Sequence, residues 1–331
     1  SGLVSVWREP NAARCADSYD FPALADGRVR RLEIPHQRPS GMSGFVFNTR
    51  QPRFSSWRVR EALILAFDFE AINTALTGGT EPRIQSYFGN SVLGMTAGPV
   101  DGLVAEALAP FEDALMPGVL DGYSLPVSDG RENRRNLRTA LRLLAEEGWQ
   151  VDGQGVLRDG AGEAFAFEIL LQQGQTDYQT AASAWVGALR TLGIEARVVM
   201  IDPAQYVERT NAADFDVTYM LRLMSLSPGN EQVLYWGSGG VDQPGSRNWA
   251  GVALPAVDAL IAAMLTAEDP AVFTATVQAL DRVLMAGRYS VPFWFSPTSR
   301  IAVARGLHFQ ATLPIYGDWT GFLPEVWWYQ E

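Results

Sequence analysis

The stretch that decides the fold spans residues 45–80 and reads FVFNTRQPRFSSWRVREALILAFDFEAINTALTGGT. It opens with an apolar run typical of a buried strand, and a turn containing proline follows. Ser55 or Ser56 can then cap a helix whose apolar residues recur at helical spacing up to Phe67. Asp68 can cap a second helix, which ends at the paired glycines 78 and 79. The pattern predicts one strand followed by two amphipathic helices.

Strands and helices alternate along much of the remaining chain. Strands are predicted at 165–171, 196–201 and 215–221. Helices are predicted from a cap at Asn133 or Asn136 to Gly148, at 178–192 and from 203 onward. Two turn-forming Asp-Gly pairs precede the first of these strands and predict a β-hairpin. This order of elements predicts an α/β fold with largely parallel strand pairing.

Charge and composition exclude several classes of function. The 331 residues include 26 basic and 37 acidic residues, and the resulting net charge of −11 argues against nucleic-acid binding. Every basic residue is arginine, which excludes Walker A phosphate binding, Schiff-base chemistry and Ser-Lys nucleophile pairs. One cysteine and two distant histidines argue against a metal centre. We therefore expect no metal and no cofactor.

Neither membrane insertion nor catalysis is predicted. The apolar stretches, such as ALILAF at 62–67, fall well short of the roughly 18 residues of a membrane span. The chain contains no GxSxG, HExxH or CxxC motif. Glu146 and Glu147 are adjacent, so a helix directs them to different faces and they do not form an acid–base pair. We therefore predict no catalytic residue and no enzyme activity.

Several motifs resemble a known family of receptors. The run at 47–53, VREAL at 59–63, AFD at 66–68 and EAIN at 70–73 closely resemble a signature of family 5 extracellular solute-binding proteins, the peptide receptors of ABC importers. NLRTALRLLAEEGW at 136–149, LGIEARVVMID at 192–202 and SLSPGNEQVLYWGS at 225–238 continue the resemblance in order. QPGSRNWAG at 243–251 and WWY at 327–329 look most like the Yej-type branch, which is associated with oligopeptides, muropeptide fragments and peptide antibiotics.

The resemblance implies a periplasmic binding protein of type II, with two lobes joined by two crossings. The crossings are expected near 45–50 and 292–295, with Asn48, Thr49 and Pro292 as hinge residues. Residues 45–295 would form one complete carboxy-terminal lobe, while 1–44 and 296–331 would supply strands of the other lobe. Because the signature lies so near the start, the chain is expected to be a carboxy-terminal portion of a longer protein.

The implied function is that of a periplasmic solute-binding component. It would bind oligopeptides or muropeptide-like peptides between its lobes and deliver them to the membrane subunits of an ABC permease. The expected partners are therefore a peptide and the permease.

The best candidate binding segment is YMLRLMSLSPGNEQVLYW at 219–236. It leaves a buried strand and starts a helix, and ligands of open α/β sheets bind at the carboxyl ends of strands. An ordinary strand-to-helix connection is the alternative. The candidate ligand contacts in its turn are Met224, Ser225, Ser227, Asn230 and Glu231. In classical receptors of this family an aspartate here anchors the peptide amine; Met224 occupies that place, which leaves Glu231 as a substitute anchor.

Further candidates lie on both sides of this turn. Arg222 can pair with a ligand carboxylate through its bidentate fork, and Arg247 and Asn248 offer polar groups in a Gly/Pro-rich loop. Trp294 would face the cleft if the second crossing is correctly placed. A structural ion pair, a solvated loop and a core indole are the respective alternatives.

Two other functions remain open from the sequence. One is a carboxylate-dependent peptidase or glycosidase that acts on cell-wall peptides or glycans. The other is a module that interacts with the permease alone.

Overall fold

A computed structural model of the chain describes residues 4–128, 130–319 and 321–330. The strands are β1 (Val6–Arg8), β2 (Val29–Pro35), β3 (Met42–Phe47), β4 (Gln150–Val151), β5 (Leu157–Arg158), β6 (Ala166–Gln172), β7 (Glu195–Ile201), β8 (Val217–Arg222), β9 (Ser290–Pro292), β10 (Thr298–Ala304), β11 (Leu307–Phe309) and β12 (Trp327–Tyr329). The helices are α1 (Ala12–Asp17), α2 (Pro22–Ala25), α3 (Trp57–Leu65), α4 (Phe69–Thr77), α5 (Gly102–Leu108), α6 (Gly130–Glu146), α7 (Thr176–Thr191), α8 (Pro203–Asn211), α9 (Glu231–Trp236), α10 (Pro255–Thr266) and α11 (Pro270–Ala286).

The segment at 45–80 folds as its local pattern predicts. Ser56 caps α3, because its side chain accepts a hydrogen bond from the backbone N–H of Arg58. Asp68 caps α4 by accepting from the N–H of Ala71, and Gly78 ends that helix in the left-handed conformation. The strand β3 precedes both helices, and the predicted strand–helix–helix order is confirmed.

The main sheet has five strands in the order β7-β6-β8-β3-β9. β6 pairs in parallel with β7 and β8, whereas β3 runs antiparallel to both β8 and β9. The expectation of largely parallel pairing is therefore wrong for β3, whereas β6, β7, β8 and β9 all run in the same direction. β3 is the first strand of this sheet along the chain, and it lies between β8 and β9 against the direction of both.

A large aromatic core lies against this sheet. The Trp185 ring stacks on Phe45 of β3 with centroids 5.5 Å apart, and its indole N–H donates to the carbonyl of Leu63 at 3.0 Å. Phe67 meets the same indole edge-on, and all of these side chains are buried. The packing joins β3, α3 and α7 into one body, which we call the large unit (residues 42–128 and 130–292).

A second, smaller core is built from both ends of the chain. β10 lies between β1 and β2 in an antiparallel sheet of three strands, and β11 pairs with β12. Its buried apolar residues are Ile34, Ile301, Val303 and Leu323. We call this body, residues 4–35, 298–319 and 321–330, the small unit. The two cores are separate clusters of buried residues.

Two segments connect the units: residues 36–41 join β2 to β3, and residues 293–297 join β9 to β10. Gly41 has a φ of 65°, and a Cβ there would lie 2.3 Å from the carbonyl oxygen of Arg222, so the first segment requires glycine. Pro292 ends β9 and borders the second segment. These bounds place β3 entirely in the large unit and β2 entirely in the small one.

Asn48 and Thr49 lie beyond the opposite end of β3, away from these segments. The buried amide of Asn48 donates to the carbonyls of Ala213 and Phe215, and the Thr49 hydroxyl donates to that of Ala250. Such bonds fasten loops inside the large unit. Asn48 and Thr49 therefore do not lie at the junction of the two units, where a hinge was predicted. The two connecting segments lie there, and Pro292 borders one of them.

Candidate functional site

A cavity of about 620 Å³ lies where the two units meet, and we call it the cleft cavity. Both connecting segments, the loop after β8 and the small unit contribute to its wall. The lining residues are His36, Arg38, Pro39, Ser40, Leu223, Met224, Ser225, Glu231, Phe295, Ser296, Tyr316 and Trp319. Because Arg222 at the end of β8 pairs with Met42 at the start of β3, the carboxyl end of β8 opens towards this cavity.

The loop after β8 is held by a bond from the small unit. The backbone N–H of Leu226 donates to the hydroxyl oxygen of Tyr316 at 2.9 Å, which bridges the cleft. The Ser225 hydroxyl accepts from the N–H of Ser227 at 3.2 Å and so shapes the turn. Met224 lies beside Gln232, whose amide nitrogen is 3.4 Å from the thioether sulfur. Met224 and Ser225 thus reach the cavity wall, as the sequence predicts for residues at a strand's carboxyl end.

Glu231 presents a carboxylate to the cleft cavity. Its Oε1 accepts hydrogen bonds from the N–H of Gly229 at 2.9 Å and from the Gln232 amide at 3.2 Å. Both donors are neutral, and within the described ranges no arginine lies at ion-pair distance from this group. The carboxylate is therefore fixed in position while its charge is available to a ligand cation. Ser227 and Asn230 are exposed and lie outside the cavity lining, contrary to the expectation that they face the ligand.

The opposite wall carries a compensated cation. The Arg38 guanidinium donates to the buried carboxylate of Asp318 at 3.2 Å and to the carbonyl of Tyr316 at 2.7 Å. Burial acts to raise the pKa of Asp318, but hydrogen bonds from Ser299, Arg8 and Arg38 outweigh it and hold that pKa below its usual range. Asp318 is therefore ionised, and Arg8 and Arg38 share its single negative charge.

The imidazole of His36 is neutral at physiological pH. Burial, followed by repulsion from Arg38, lowers its pKa to about 4. With His36 neutral and Arg38 paired, Glu231 supplies a carboxylate that lines the cavity without an arginine partner in the described part of the chain. The Glu231 carboxylate can therefore receive a cationic group of a ligand.

Besides Ser227 and Asn230, four more predicted ligand contacts lie away from the cleft cavity. Arg222 and Arg247 line a neighbouring cavity instead. Asn248 is fully buried: its amide donates to the carbonyls of Gly237 and Val252, and its oxygen accepts from the N–H of Val252. Both polar atoms of the Asn248 side chain are therefore already bonded within the protein. Asn248 holds the loop between α9 and α10 together, which corrects the expectation that it contacts a ligand.

Trp294 also departs from expectation. Its ring stacks on Phe293 with centroids 5.2 Å apart, and it pairs through a β-bridge with Arg83. It packs against the large core, and the cleft lining in the described part of the chain does not include it. Alternation along residues 293–295 explains this, because the neighbouring Phe295 is the residue whose side chain reaches the cavity.

The wall formed by the first connecting segment and the small unit was missed from the sequence. His36, Arg38, Tyr316 and Trp319 come from segments that are almost 300 residues apart at their extremes. Only the aromatic content of the last segment offered a signal, and such residues fill cores as often as they line pockets.

The described ranges contain neither a helix that is long and apolar enough for a membrane span nor a cluster of three potential metal ligands of the His, Cys, Asp and Glu types.

Known proteins resemble this chain in both sequence and fold. The profile described as bacterial extracellular solute-binding proteins, family 5 Middle, matches residues 1–243. The chain is 37% identical over 332 residues to "probable peptide-binding protein YejA" of Agrobacterium fabrum, covering 99% of this chain and 53% of that protein. It is 34% identical over 316 residues to "peptidoglycan-binding protein YepA" of the same organism, covering 94% and 50% respectively.

A solved structure shares the fold at lower sequence identity. The oligopeptide-binding protein AppA from Bacillus subtilis, in complex with a nonapeptide, matches with a TM-score of 0.72 and 17% identity, covering 100% of this chain and 57% of that chain. The match confirms the expected α/β fold of the periplasmic binding-protein type. The chain spans about half the length of the curated relatives it matches.

Proposed function

Because this chain belongs to the bacterial extracellular solute-binding proteins of family 5, we propose that it forms part of a periplasmic receptor for peptides. The receptor binds its ligand between two lobes and delivers it to the membrane subunits of an ABC importer. The names of the two Agrobacterium relatives and the nonapeptide bound to AppA support peptides or peptide-bearing cell-wall fragments as ligands. All of these proteins are described as binding proteins, which favours a receptor over the peptidase or glycosidase alternative.

The observation that carries the proposal is the unpaired carboxylate of Glu231 on the wall of the cleft cavity. A peptide brings a protonated α-amino group, and a charge-assisted bond to a carboxylate is about twice as strong as a neutral hydrogen bond. Met224 occupies the place of the family's amine-anchoring aspartate but has no charge. Glu231, seven residues further along the chain and on the same wall, supplies it instead.

The proposed motion is rotation of the two units about their connecting segments. A ligand that contacts both walls stabilises the arrangement in which the walls are close together. The bond between the Leu226 N–H and the Tyr316 hydroxyl belongs to that arrangement, because its donor and acceptor come from opposite units. Ligand binding and closure are then one equilibrium.

Calorimetry with tetra-alanine and its N-acetylated form tests the amine anchor. We expect acetylation to weaken binding about tenfold, and Glu231→Gln to weaken binding of the free peptide by a similar factor. Both changes remove the same contact, so their effects should not add. Ser227→Ala is the matched control, since Ser227 is exposed in the same loop and outside the cavity.

Equal affinity of the Glu231→Gln variant for the free and acetylated peptides is therefore the expected result. An undiminished preference of that variant for the free amine would refute the role of Glu231. Mass spectrometry of the same mixtures should show intact peptide, and product peaks would favour the enzyme alternative.

A further inference from the structure

A second cavity of about 500 Å³ adjoins the cleft cavity, and Leu223 lines both. It lies at the carboxyl end of β8, between α9 and the loop that precedes α10. Its other lining residues are Asn211, Leu221, Arg222, Tyr235, Gly245, Ser246, Arg247 and Trp249. We call it the arginine pocket.

Arg222 is held in this pocket by two aromatic rings. Its guanidinium carbon lies 4.6 Å from the Trp249 ring centroid and 5.2 Å from that of Tyr235. Nη1 donates to the carbonyl of Leu221 and Nη2 to that of Arg247. Nε has no hydrogen-bond partner in the described part of the chain, although the residue is only 8% exposed. Two nitrogens of the bidentate fork therefore already bond backbone oxygens, and a donor remains unused.

The charge in the arginine pocket is not balanced from within. Burial lowers the pKa of Arg222 to about 10, so the guanidinium is still cationic at neutral pH. Arg247 adds a second cation and, by repulsion, contributes to the same lowering of the pKa. Over residues 4–128, 130–319 and 321–330, no carboxylate lies within ion-pair distance of either guanidinium, and the lining includes no acidic residue.

Other buried arginines in this fold are satisfied differently. Arg288 pairs with Glu61 at 2.8 Å, and Arg60 donates to the carbonyls of Phe54, Ser55 and Gly287. Neither lines an open cavity beside the cleft. An uncompensated buried cation is costly, and an anion that enters the pocket would remove that cost.

We infer that the arginine pocket binds a carboxylate of the ligand whose amine end occupies the cleft cavity. This assignment rests on the proposed peptide function for the identity of the ligand, but the carboxylate chemistry follows from the pocket itself. Arg222 and Arg247 supply the charge, while Leu221, Leu223 and the two aromatic rings suit the aliphatic part next to the carboxylate. The carboxylate comes either from the peptide's terminus or from an acidic side chain.

A small probe tests the pocket without any peptide. Glutarate is added to the ¹⁵N-arginine-labelled protein, and the Nε–H resonances are followed by NMR, with Arg222 assigned through the spectrum of Arg222→Lys. We expect the Arg222 resonance to shift in a saturable manner. No such shift is expected in Arg247→Gln at the same glutarate concentration, because Arg247 is exposed and its loss removes charge from the pocket without disturbing the core.

Calorimetry then distinguishes the source of the carboxylate. The peptides are tetra-alanine, its carboxamide, and the carboxamides of Ala-Ala-Glu-Ala and Ala-Ala-Gln-Ala. We expect a carboxylate to strengthen binding about tenfold, either at the terminus or in the glutamate peptide, and Arg247→Gln to abolish that gain. Arg305→Gln is the matched control, since it removes one exposed arginine from the small unit.

The two proposals fail separately. If peptides bind but carboxylates give no gain and the Arg222 resonance does not move, the arginine pocket is not a carboxylate site and the peptide function stands. If glutarate shifts the resonance but no peptide binds, the pocket stands and the peptide function is refuted. Absence of both responses overturns both.

Discussion

Breaking the ion pair between Glu81 and Arg300 should destabilise the protein by an amount that depends on pH. The pair joins the large unit to β10 of the small unit, with 2.7 Å between Nη1 and Oε1. The side chains are only 3% and 14% exposed, so solvent screens the interaction weakly. Replacing Arg300 by Met leaves a buried carboxylate without its cation, the situation in which buried pairs are most costly to break.

The size of the effect follows from the proton that Glu81 can take up. Burial already raises the pKa of Glu81 above its ordinary value of 4.5, against the attraction of Arg300. Losing Arg300 raises it further, and a raised carboxyl pKa gives stability that is present at low pH and lost as pH rises. Protonating the Glu81 carboxyl at pH 7 costs at most about 3.4 kcal/mol. This is the difference of 2.5 pH units between pH 7 and the ordinary pKa of 4.5, multiplied by about 1.36 kcal/mol per unit.

Urea unfolding followed by tryptophan fluorescence at pH 5, 6 and 7 measures this effect. We expect Arg300→Met to lose up to about 3 kcal/mol at pH 7, less the cost that the raised pKa of Glu81 already imposes on the unchanged protein, and under about 1 kcal/mol at pH 5. The double variant Glu81→Gln, Arg300→Met should recover most of the loss, because no charge is left unpaired. Arg305→Met, an exposed control, should change stability by less than about 0.5 kcal/mol. A loss for Arg300→Met that is the same at all three pH values would refute the reasoning.

Two further predictions concern the loops around the cleft. Asn248→Ala should lower the free energy of unfolding by about 2–4 kcal/mol, because it leaves buried backbone groups unpaired. The control Asn230→Ala, at an exposed position, should not lower it. A loss below about 1 kcal/mol for Asn248→Ala in urea unfolding would contradict the structural role of Asn248. Tyr316→Phe removes the hydroxyl that accepts a hydrogen bond from the Leu226 N–H. Calorimetry should then show that tetra-alanine binds up to about fivefold more weakly. Unchanged affinity would mean that this bond does not hold the cleft closed.

Much of the fold could be predicted because local chemistry decides it. The caps at Ser56 and Asp68 and the glycine at 78 act within one helical turn, and the structure retains each of them. The antiparallel placement of β3 could not be predicted in the same way. It depends on pairing with β8 and β9, which lie about 170 and 250 residues further along the chain.

The same distinction explains the candidate site. Met224, Ser225 and Glu231 reach the cleft cavity because the carboxyl end of a strand directs its following loop outward, which is a rule that a sequence pattern can use. The wall formed by Arg38 and Tyr316 depends on where the small unit packs, and no local pattern reports that. Asn48 was misplaced for a related reason: its amide bonds carbonyls that approach it only after the chain has folded.

The pairing of β2 with β10 makes the large unit an insertion into a hairpin. Pro35 lies opposite Thr298 in the small unit, and Gly44 lies opposite Pro292 in the large one, so the chain enters and leaves the inserted body at neighbouring points. Its two ends are close enough for a short linker to join them, which makes the large unit suited to circular permutation. The proposed rotation of the two units would twist only the two connecting segments, which lie side by side, and would leave the hydrogen bonds of both sheets intact.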